Sequence, residues 1–214
     1  YATVDGMEVS YTHASYSVLQ YCNRQFELGA ADKLKTLISD LLVYGAASQK
    51  QIGYKTDALV TDLFNYELTP STFPGVASIT NKQTVTGSKT ANDVVSASLN
   101  LSNQVVLKFG FQFTDTDLSK YTIKVVVAEK VCTYSVADCY AEGGKYYLNF
   151  ADYSSTQFDD TVTVCVMEGD TVVSRTLTYS VNTYIAKNAG ADTDFARLLQ
   201  AVYNYGISAK NYVG

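Results

Sequence analysis

The sequence predicts an α+β fold, in which an antiparallel β-sandwich is flanked by two duplicated helical hairpins. Near both ends of the chain, apolar residues recur every three or four positions, which is the period of an amphipathic helix. Between these regions apolar and polar residues alternate, which is the period of a half-buried strand. A third observation is that the two helical regions resemble each other in sequence.

The two helical regions correspond at a constant offset. The segment Tyr44-Gly45-Ala46-Ala47-Ser48 matches Tyr205-Gly206-Ile207-Ser208-Ala209, which lies 161 residues further along the chain. We therefore expect two superimposable long helices, each with one apolar face. At this offset the apolar positions pair as Leu34 with Phe195, Leu37 with Leu198, Ile38 with Leu199, Leu41 with Val202, and Ile52 with Val213.

A second match marks the start of each copy. Tyr16-Ser17-Val18 and Tyr179-Ser180-Val181 lie 163 residues apart, so the copies differ by two residues before the long helix. The sequence of each copy predicts a strand, a short helix, a turn and a long helix. Asp32 and Asp192 are expected to be the N-caps of the long helices, where a carboxylate also interacts favourably with the helix dipole.

A glycine occupies the same position in both long helices, as Gly45 and Gly206. Glycine costs about 1 kcal/mol of helix propensity relative to alanine, so its use at both positions indicates a packing reason. Together with Ser48 and Ala209 one turn later, these glycines predict a groove on each helix that another backbone approaches closely.

Six segments of the central region alternate with period two, and turn-forming sequences such as Glu142-Gly143-Gly144-Lys145 separate them. Their spacing is typical of an immunoglobulin-like sandwich of about seven strands. Pro70 and Pro74 indicate a linker before it. The alternating segments are 94–101, 105–113, 123–128, 146–150, 162–167 and 171–179. The predicted regions are an N-terminal strand with the first helical unit, the sandwich, and the second helical unit, at 1–69, 70–180 and 181–214.

Composition excludes several classes of partner. The net charge is −5 and no cluster of lysine and arginine exceeds two residues, so the basic footprint that nucleic-acid binding requires is missing. No apolar run approaches the roughly 18 residues that indicate a membrane span. No signal peptide opens the sequence, and Tyr1 indicates a mature or trimmed part of a longer protein.

Four cysteines leave several arrangements open. They form no C-x-x-C pair, so a zinc site is not predicted. Cys132 could pair with Cys139, Cys139 could pair with Cys165, or these residues and Cys22 could all be free thiols.

No catalytic motif is present, and the sequence predicts neither an enzyme nor a bound metal or cofactor. His13 is the one histidine, and neither a G-x-S-x-G elbow nor an H-E-x-x-H motif occurs. Two acidic pairs, Asp115 with Asp117 and Asp159 with Asp160, lie in predicted turns, where aspartate is common for backbone reasons. The oxygen-rich turns leave calcium binding as an alternative, although no turn follows the calcium-loop spacing D-x-[DN]-x-[DN]-G.

The helical motifs resemble those of a known class of module. The patterns are Tyr-Ser-Val-x-x-Tyr at 16–21 and 179–184, and Leu-x-x-x-Leu-Leu-x-Tyr-Gly-Ala-Ala-x-Gln at 37–49. They resemble strand–helix–helix and β-sandwich modules repeated in large exported proteins of anaerobic Gram-positive gut bacteria. The resemblance covers residues 16–54 and 179–214. It implies an extracellular or cell-surface location and other modules of the same polypeptide as partners, and it carries over no catalytic residue.

Tyrosine is unusually abundant, with 18 residues against 9 phenylalanines and no tryptophan. A tyrosine ring has a flat apolar face and a hydroxyl group, which suits stacking on sugars or contact with a protein. Outside the repeats we expect Tyr140, Tyr147 and Tyr153, with Asn149 on the strand face of Tyr147, to form a shallow binding surface. The alternative is that these rings pack against a helix or the second sheet.

The function expected from the sequence is therefore a non-catalytic extracellular module that binds a polysaccharide, such as a plant glycan or starch. A structural spacer, or an adhesion module that binds another extracellular protein, is the alternative. An enzyme is the third and least favoured hypothesis.

Overall fold

The computed structural model describes residues 2–4, 7–9, 17–101 and 104–214, with side chains for the last two ranges. Within these residues the fold is α+β, with two antiparallel sheets, a separate two-stranded hairpin and four helices. None of the helices in the described ranges combines the length and apolar character needed to cross a membrane.

Twelve strands lie in the described part of the chain. They are β1 (Ala2–Val4), β2 (Met7–Val9), β3 (Thr84–Thr86), β4 (Asp93–Leu101), β5 (Val105–Gln112), β6 (Tyr121–Val127), β7 (Lys130–Ser135), β8 (Tyr140–Glu142), β9 (Lys145–Phe150), β10 (Val162–Glu168), β11 (Thr171–Val172) and β12 (Thr176–Tyr179). β1 and β2 form the hairpin. One sheet has the order β3-β12-β10-β6-β7, with β11 paired to β10, and the other has the order β4-β5-β9-β8.

The two sheets bury their apolar faces in one hydrophobic core. Alternate side chains of both sheets are fully buried there, so the period-two pattern marks one face of each strand as expected. All six predicted strand segments contain a strand, whereas the short strands β3, β7 and β8 were not predicted. The largest buried core side chains of the sheets include Leu107, Phe109, Phe111, Ile123, Val125, Phe150, Val162 and Val164.

The four helices are α1 (Val18–Glu27), α2 (Asp32–Ile52), α3 (Val181–Asn188) and α4 (Asp194–Val213). The predicted N-caps are each wrong by one residue. Ala31 caps α2, so that Asp32 is the first helical residue, and Thr193 caps α4 by accepting a hydrogen bond from Ala196 N–H. Thr193 Oγ1 takes the role expected of Asp192, whose carboxylate instead accepts a hydrogen bond from Arg197.

α2 and α4 pack against each other in antiparallel directions. Asp32 and Lys33, at the start of α2, line the same depression as Lys210 and Gly214, at the end of α4. Near the middle of the pair, the rings of Tyr44 and Tyr205 stack with centroids 5.9 Å apart and planes 17° apart. The two tyrosines that correspond in the sequence repeat are therefore in direct contact.

The predicted apolar face is correct in the middle of α4, is displaced by one residue in the middle of α2, and is wrong at the ends of both helices. α4 buries Leu198, Leu199 and Val202, as expected. In α2 the buried stripe runs through Ile38, Leu42 and Ala46, where Ile38 and Leu42 join a small separate core with Cys22 and Phe64. Ile52 and Val213, the last apolar residue of each repeat, are 73% and 76% exposed, because they lie beyond the core that either helix covers.

Each of the two glycines leaves room for a side chain from another segment. The sequence had suggested that a backbone approaches the helix at these positions. A Cβ atom at Gly206 would lie 2.7 Å from Cδ2 of Phe158, which follows the 3₁₀ turn Ser155–Gln157. A Cβ atom at Gly45 would lie 3.0 Å from Cγ1 of Val60. The Phe158 ring is buried in the main core, so this contact cannot relax easily.

The cysteines are free thiols. Cys22 and Cys165 are buried, while Cys132 and Cys139 are half-buried. Burial raises the pKa of Cys139 to about 11, so its thiol stays protonated at neutral pH.

An ion pair between a buried aspartate and a partly exposed arginine connects the two sheets. Asp93, the first residue of β4, is 1% exposed and accepts hydrogen bonds from Arg175 N–H at 2.9 Å and from Arg175 Nε at 2.8 Å. Arg175 directly precedes β12 and also donates a hydrogen bond to the carbonyl of Val94.

The glycine contacts predict that Gly206→Leu destabilises the fold by about 1–3 kcal/mol or more, because a bulky side chain would enter a filled core. Gly45→Leu should also destabilise, by less, since Val60 is only half-buried. Urea unfolding measures both. Gly190→Ala is the control, because its Cβ would meet Val76 at an ordinary 3.5 Å. If Gly206→Leu unfolded at the same urea concentration as the parent, Phe158 would not be packed on α4.

The ion pair of Asp93 and Arg175 leads to a second prediction. Asp93→Ala leaves Arg175, whose side chain is 26% exposed, without its carboxylate partner, so it should lower the free energy of unfolding by about 1–3 kcal/mol. The control is Glu27→Ala, which breaks an exposed pair with Arg24 and should change stability by less than about 1 kcal/mol. Equal effects of the two substitutions in urea unfolding would contradict a structural role for Asp93.

Candidate functional site

The four-stranded sheet has one face in the core and a second face, called here the outer face, that carries the predicted ligand-binding residues. Leu148 and Phe150 of β9 point into the core, so Tyr147 and Asn149 point the other way. Strand register then sets their neighbours. One row runs Tyr140, Tyr147, Gly110 and Ser96 across the four strands, and the next runs Asn149, Lys108 and Ser98.

Two of the three predicted tyrosines form a stacked pair on the outer face. The ring centroids of Tyr140 and Tyr147 lie 5.4 Å apart, and the ring planes differ by 27°. Tyr140 is on the edge strand β8 and its side chain is 41% exposed, whereas Tyr147 is half-buried. The pair therefore presents a fixed aromatic surface near the edge of the sheet.

Gly110 creates the space in which the Tyr147 ring lies. A Cβ atom at this position would be 2.9 Å from Cε1 of Tyr147 and 2.3 Å from Oγ of Ser96. The ring of Tyr147 therefore lies over the backbone of β5, next to the hydroxyl of Ser96. An aromatic side chain laid across a strand glycine shields the backbone and fixes the orientation of the ring.

Lys108 joins the two rows of the outer face. Its Nζ lies 4.1 Å from the ring centroid of Tyr147 and 5.2 Å from that of Tyr140, and 3.7 Å from the Glu142 carboxylate. The neighbouring Tyr140 side chain raises the pKa of Lys108, so the ammonium group stays charged at neutral pH. The charge and the two rings hold one another in place through cation–π attraction.

Tyr153 lies on the opposite side of the sheet and does not share the surface of Tyr140 and Tyr147. Its ring stacks on Phe150 with centroids 5.8 Å apart and planes 6° apart, and it meets the edge of Phe158. Its hydroxyl is buried without a hydrogen-bond partner among the described residues, and burial raises the pKa of Tyr153. Tyr153 therefore packs beneath the sheet, as the alternative interpretation of the tyrosines expected.

Sequence reasoning missed Ser96, Ser98, Lys108 and Gly110. The alternation of β5 already sets Lys108 and Gly110 opposite the core residues Leu107 and Phe109. The alternation therefore shows which face of β5 carries Lys108 and Gly110. It does not show that Tyr147 lies over these two residues, because β5 and β9 are far apart in the sequence.

The other candidate residues have structural partners or lie outside the described range. His13 is among the residues that the structure does not describe. Asp115 interacts with Tyr121 and Lys120, and Asp117 accepts hydrogen bonds from Ser119. Asp159 pairs with Lys82 at 2.9 Å. In the described ranges no three histidine, cysteine, aspartate or glutamate side chains cluster as a metal site would require.

No family model, curated protein or solved structure matches this chain. The geometry of the outer face is therefore the basis of the functional proposal below.

The position of the Tyr147 ring over Gly110 leads to a third prediction. Gly110→Ala should lower the free energy of unfolding by about 1–3 kcal/mol, because the added methyl displaces the ring and the Ser96 hydroxyl. The same change should cost much less in a background in which Ser96 and Tyr147 are both alanine. Urea unfolding of the four proteins measures this coupling. An equal cost in both backgrounds would mean that the glycine serves the strand backbone and not the ring.

Proposed function

We propose that this chain is a non-catalytic extracellular module that binds a polysaccharide on the outer face of its four-stranded sheet. The observation that carries the proposal is the stacked pair of Tyr140 and Tyr147 beside Lys108 and Asn149. Plant glycans and starch are the ligands we favour.

The chemistry of a sugar ring fits this combination of groups. A pyranose has C–H groups that gain from contact with an aromatic face, and hydroxyls at its edge that need hydrogen bonds. Tyr140 supplies a partly exposed ring. Asn149 is exposed, and its amide both donates and accepts hydrogen bonds, while the Lys108 ammonium donates only.

The same residues favour binding over catalysis. Glycoside hydrolysis requires two carboxyl groups on either side of the scissile bond. The rows of the outer face carry tyrosines, serines, an amide and a lysine, and its nearest carboxylate, Glu142, is paired with that lysine. An enzyme is therefore the least favoured of the three functions.

We further propose that the sandwich is immunoglobulin-like and that the two helical hairpins arose by duplication. The support for duplication is that α2 and α4 are both long helices and that the corresponding residues Tyr44 and Tyr205 stack on each other. On this proposal the three regions are 1–69, 70–180 and 181–214. The sequence resemblance to exported bacterial proteins supports a location outside the cell or on its surface.

A structural spacer or protein-interaction module is the second candidate. It is favoured by exposed apolar side chains at the two ends of α1 and in the segment after α2, which contact with another protein would remove from water. Val18, Leu28 and Leu63 are 64%, 63% and 53% exposed. Another module of the same polypeptide would be the partner.

The binding proposal makes a fourth prediction. In native gels that contain soluble starch, xylan, xyloglucan or β-glucan, we expect at least one polysaccharide to retard the parent protein. Tyr140→Ala, Tyr147→Ala and Asn149→Ala should each reduce that retardation, because each removes a stacking ring or an amide. Tyr212→Ala is the matched control: this tyrosine is 48% exposed at the end of α4 and should bind like the parent.

Two outcomes would count against the proposal. If no polysaccharide in the panel retarded the parent protein, the spacer function would take first place. If Tyr212→Ala lost retardation as fully as Tyr140→Ala, the outer face would not be the binding surface. Melting temperatures of all variants show whether a loss of retardation reflects unfolding.

A further inference from the structure

We propose that the ligand surface continues from the outer face into a groove between β4 and the helices, so that the module binds the interior of an extended glycan chain. This inference rests on the proposed polysaccharide-binding function. It adds that a chain crossing both surfaces is recognised, in preference to a short sugar or a chain end.

The groove has a volume of about 660 Å³ and lies where the helical pair meets the edge strand β4. One wall is strand and the other is helix. The strand wall is formed by residues 98–101. The helix wall is formed by Tyr44, Ser48, Gln51 and Ile52 of α2, Tyr184 of α3, and Phe195 and Leu198 of α4.

The groove and the outer face are continuous through two residues. Ser98 and Lys108 line the groove, and they are register partners in the second row of the outer face. Lys108 also lies over the ring of Tyr147. A ligand that contacts the stacked tyrosines therefore meets the groove as soon as it extends past Lys108 toward the helices.

The lining of the groove suits the same kind of ligand as the outer face. Tyr44 and Tyr184 are half-buried and Phe195 is 36% exposed, so rings are available to the apolar faces of sugars. Gln51 and Asn100 add amide groups for sugar hydroxyls. Lys108 is the one charged side chain among the described residues that line the groove. An uncharged, amphipathic chain matches this lining better than an acidic or basic one.

The dimensions favour a chain of several sugar units. Neighbouring strands lie about 4.8 Å apart, so Tyr140 on β8 and Ser96 on β4 are separated by three such spacings, or roughly 14 Å. The helix wall of the groove lies beyond the edge strand β4 and adds to that length. A single sugar can contact only one part of this surface, whereas an extended chain can contact both parts at once.

The test is titration calorimetry with malto-oligosaccharides and xylo-oligosaccharides of increasing length. Affinity should rise with length until a chain reaches both surfaces. Gln51→Ala and Ile52→Ser change exposed groove residues and should weaken binding of long chains by about tenfold, while leaving short chains unaffected. Tyr140→Ala should weaken both. Lys33→Ala, on the exposed start of α2, is the control and should bind like the parent.

The outcomes separate this inference from the function on which it rests. If no polysaccharide or oligosaccharide bound, both would be overturned. If the parent protein were retarded by a polysaccharide but affinity did not depend on chain length, or if the groove variants bound long chains like the parent, this inference alone would be overturned. Melting temperatures of Gln51→Ala and Ile52→Ser should equal that of the parent, because both positions are exposed.

Discussion

The contact between Gly206 and the ring of Phe158 sets the position of the helices on the sandwich. Phe158 is buried in the main core, and only a residue without a side chain lets α4 come so close to it. α4 in turn fixes α2 through the stacked rings of Tyr44 and Tyr205. The end of α2 and the start of α4 then form the helical wall of the groove beside β4. The shape of the candidate ligand surface thus depends on a contact made further along α4, about two to three turns after the residues that line the groove.

Buried polar groups hold the same arrangement at a second place. The Asp40 carboxylate of α2 is 1% exposed and accepts hydrogen bonds from Ser71 N–H at 2.8 Å and Ser71 Oγ at 2.7 Å. Asn204 of α4 donates to the carbonyl of Ser71 at 2.7 Å. The segment that the sequence suggested as a linker is therefore bound to both long helices. Because a buried polar group is costly when it loses its partner, this network opposes sliding of one helix along the other.

Local periodicity was enough to predict most of the fold, and long-range pairing accounts for what was missed. The alternation that places Leu107, Phe109 and Phe111 on one face of β5 is visible in the sequence directly, and these residues are buried in the core. The position of the Tyr147 ring over Gly110 depends on the register of β9 against β5, which the sequence does not show. Tyr153 was grouped with Tyr140 and Tyr147 because it is close in sequence. The chain leaves β9 after Phe150, however, and brings the Tyr153 ring back onto the core side of that residue.

A shallow surface binds a ligand tightly only if its side chains lose little conformational freedom when the ligand binds. A side chain that becomes immobilised costs roughly 0.5–1.5 kcal/mol, which is comparable to the gain from one aromatic contact. On the outer face that ordering is already present, because Tyr147 is held by Gly110 and Ser96, Tyr140 by Tyr147, and Lys108 by both rings. Each contact with a sugar can then add to affinity almost in full. Weak contacts repeated along a rigid surface favour ligands that repeat as well, and this is the physical reason to expect a polymer.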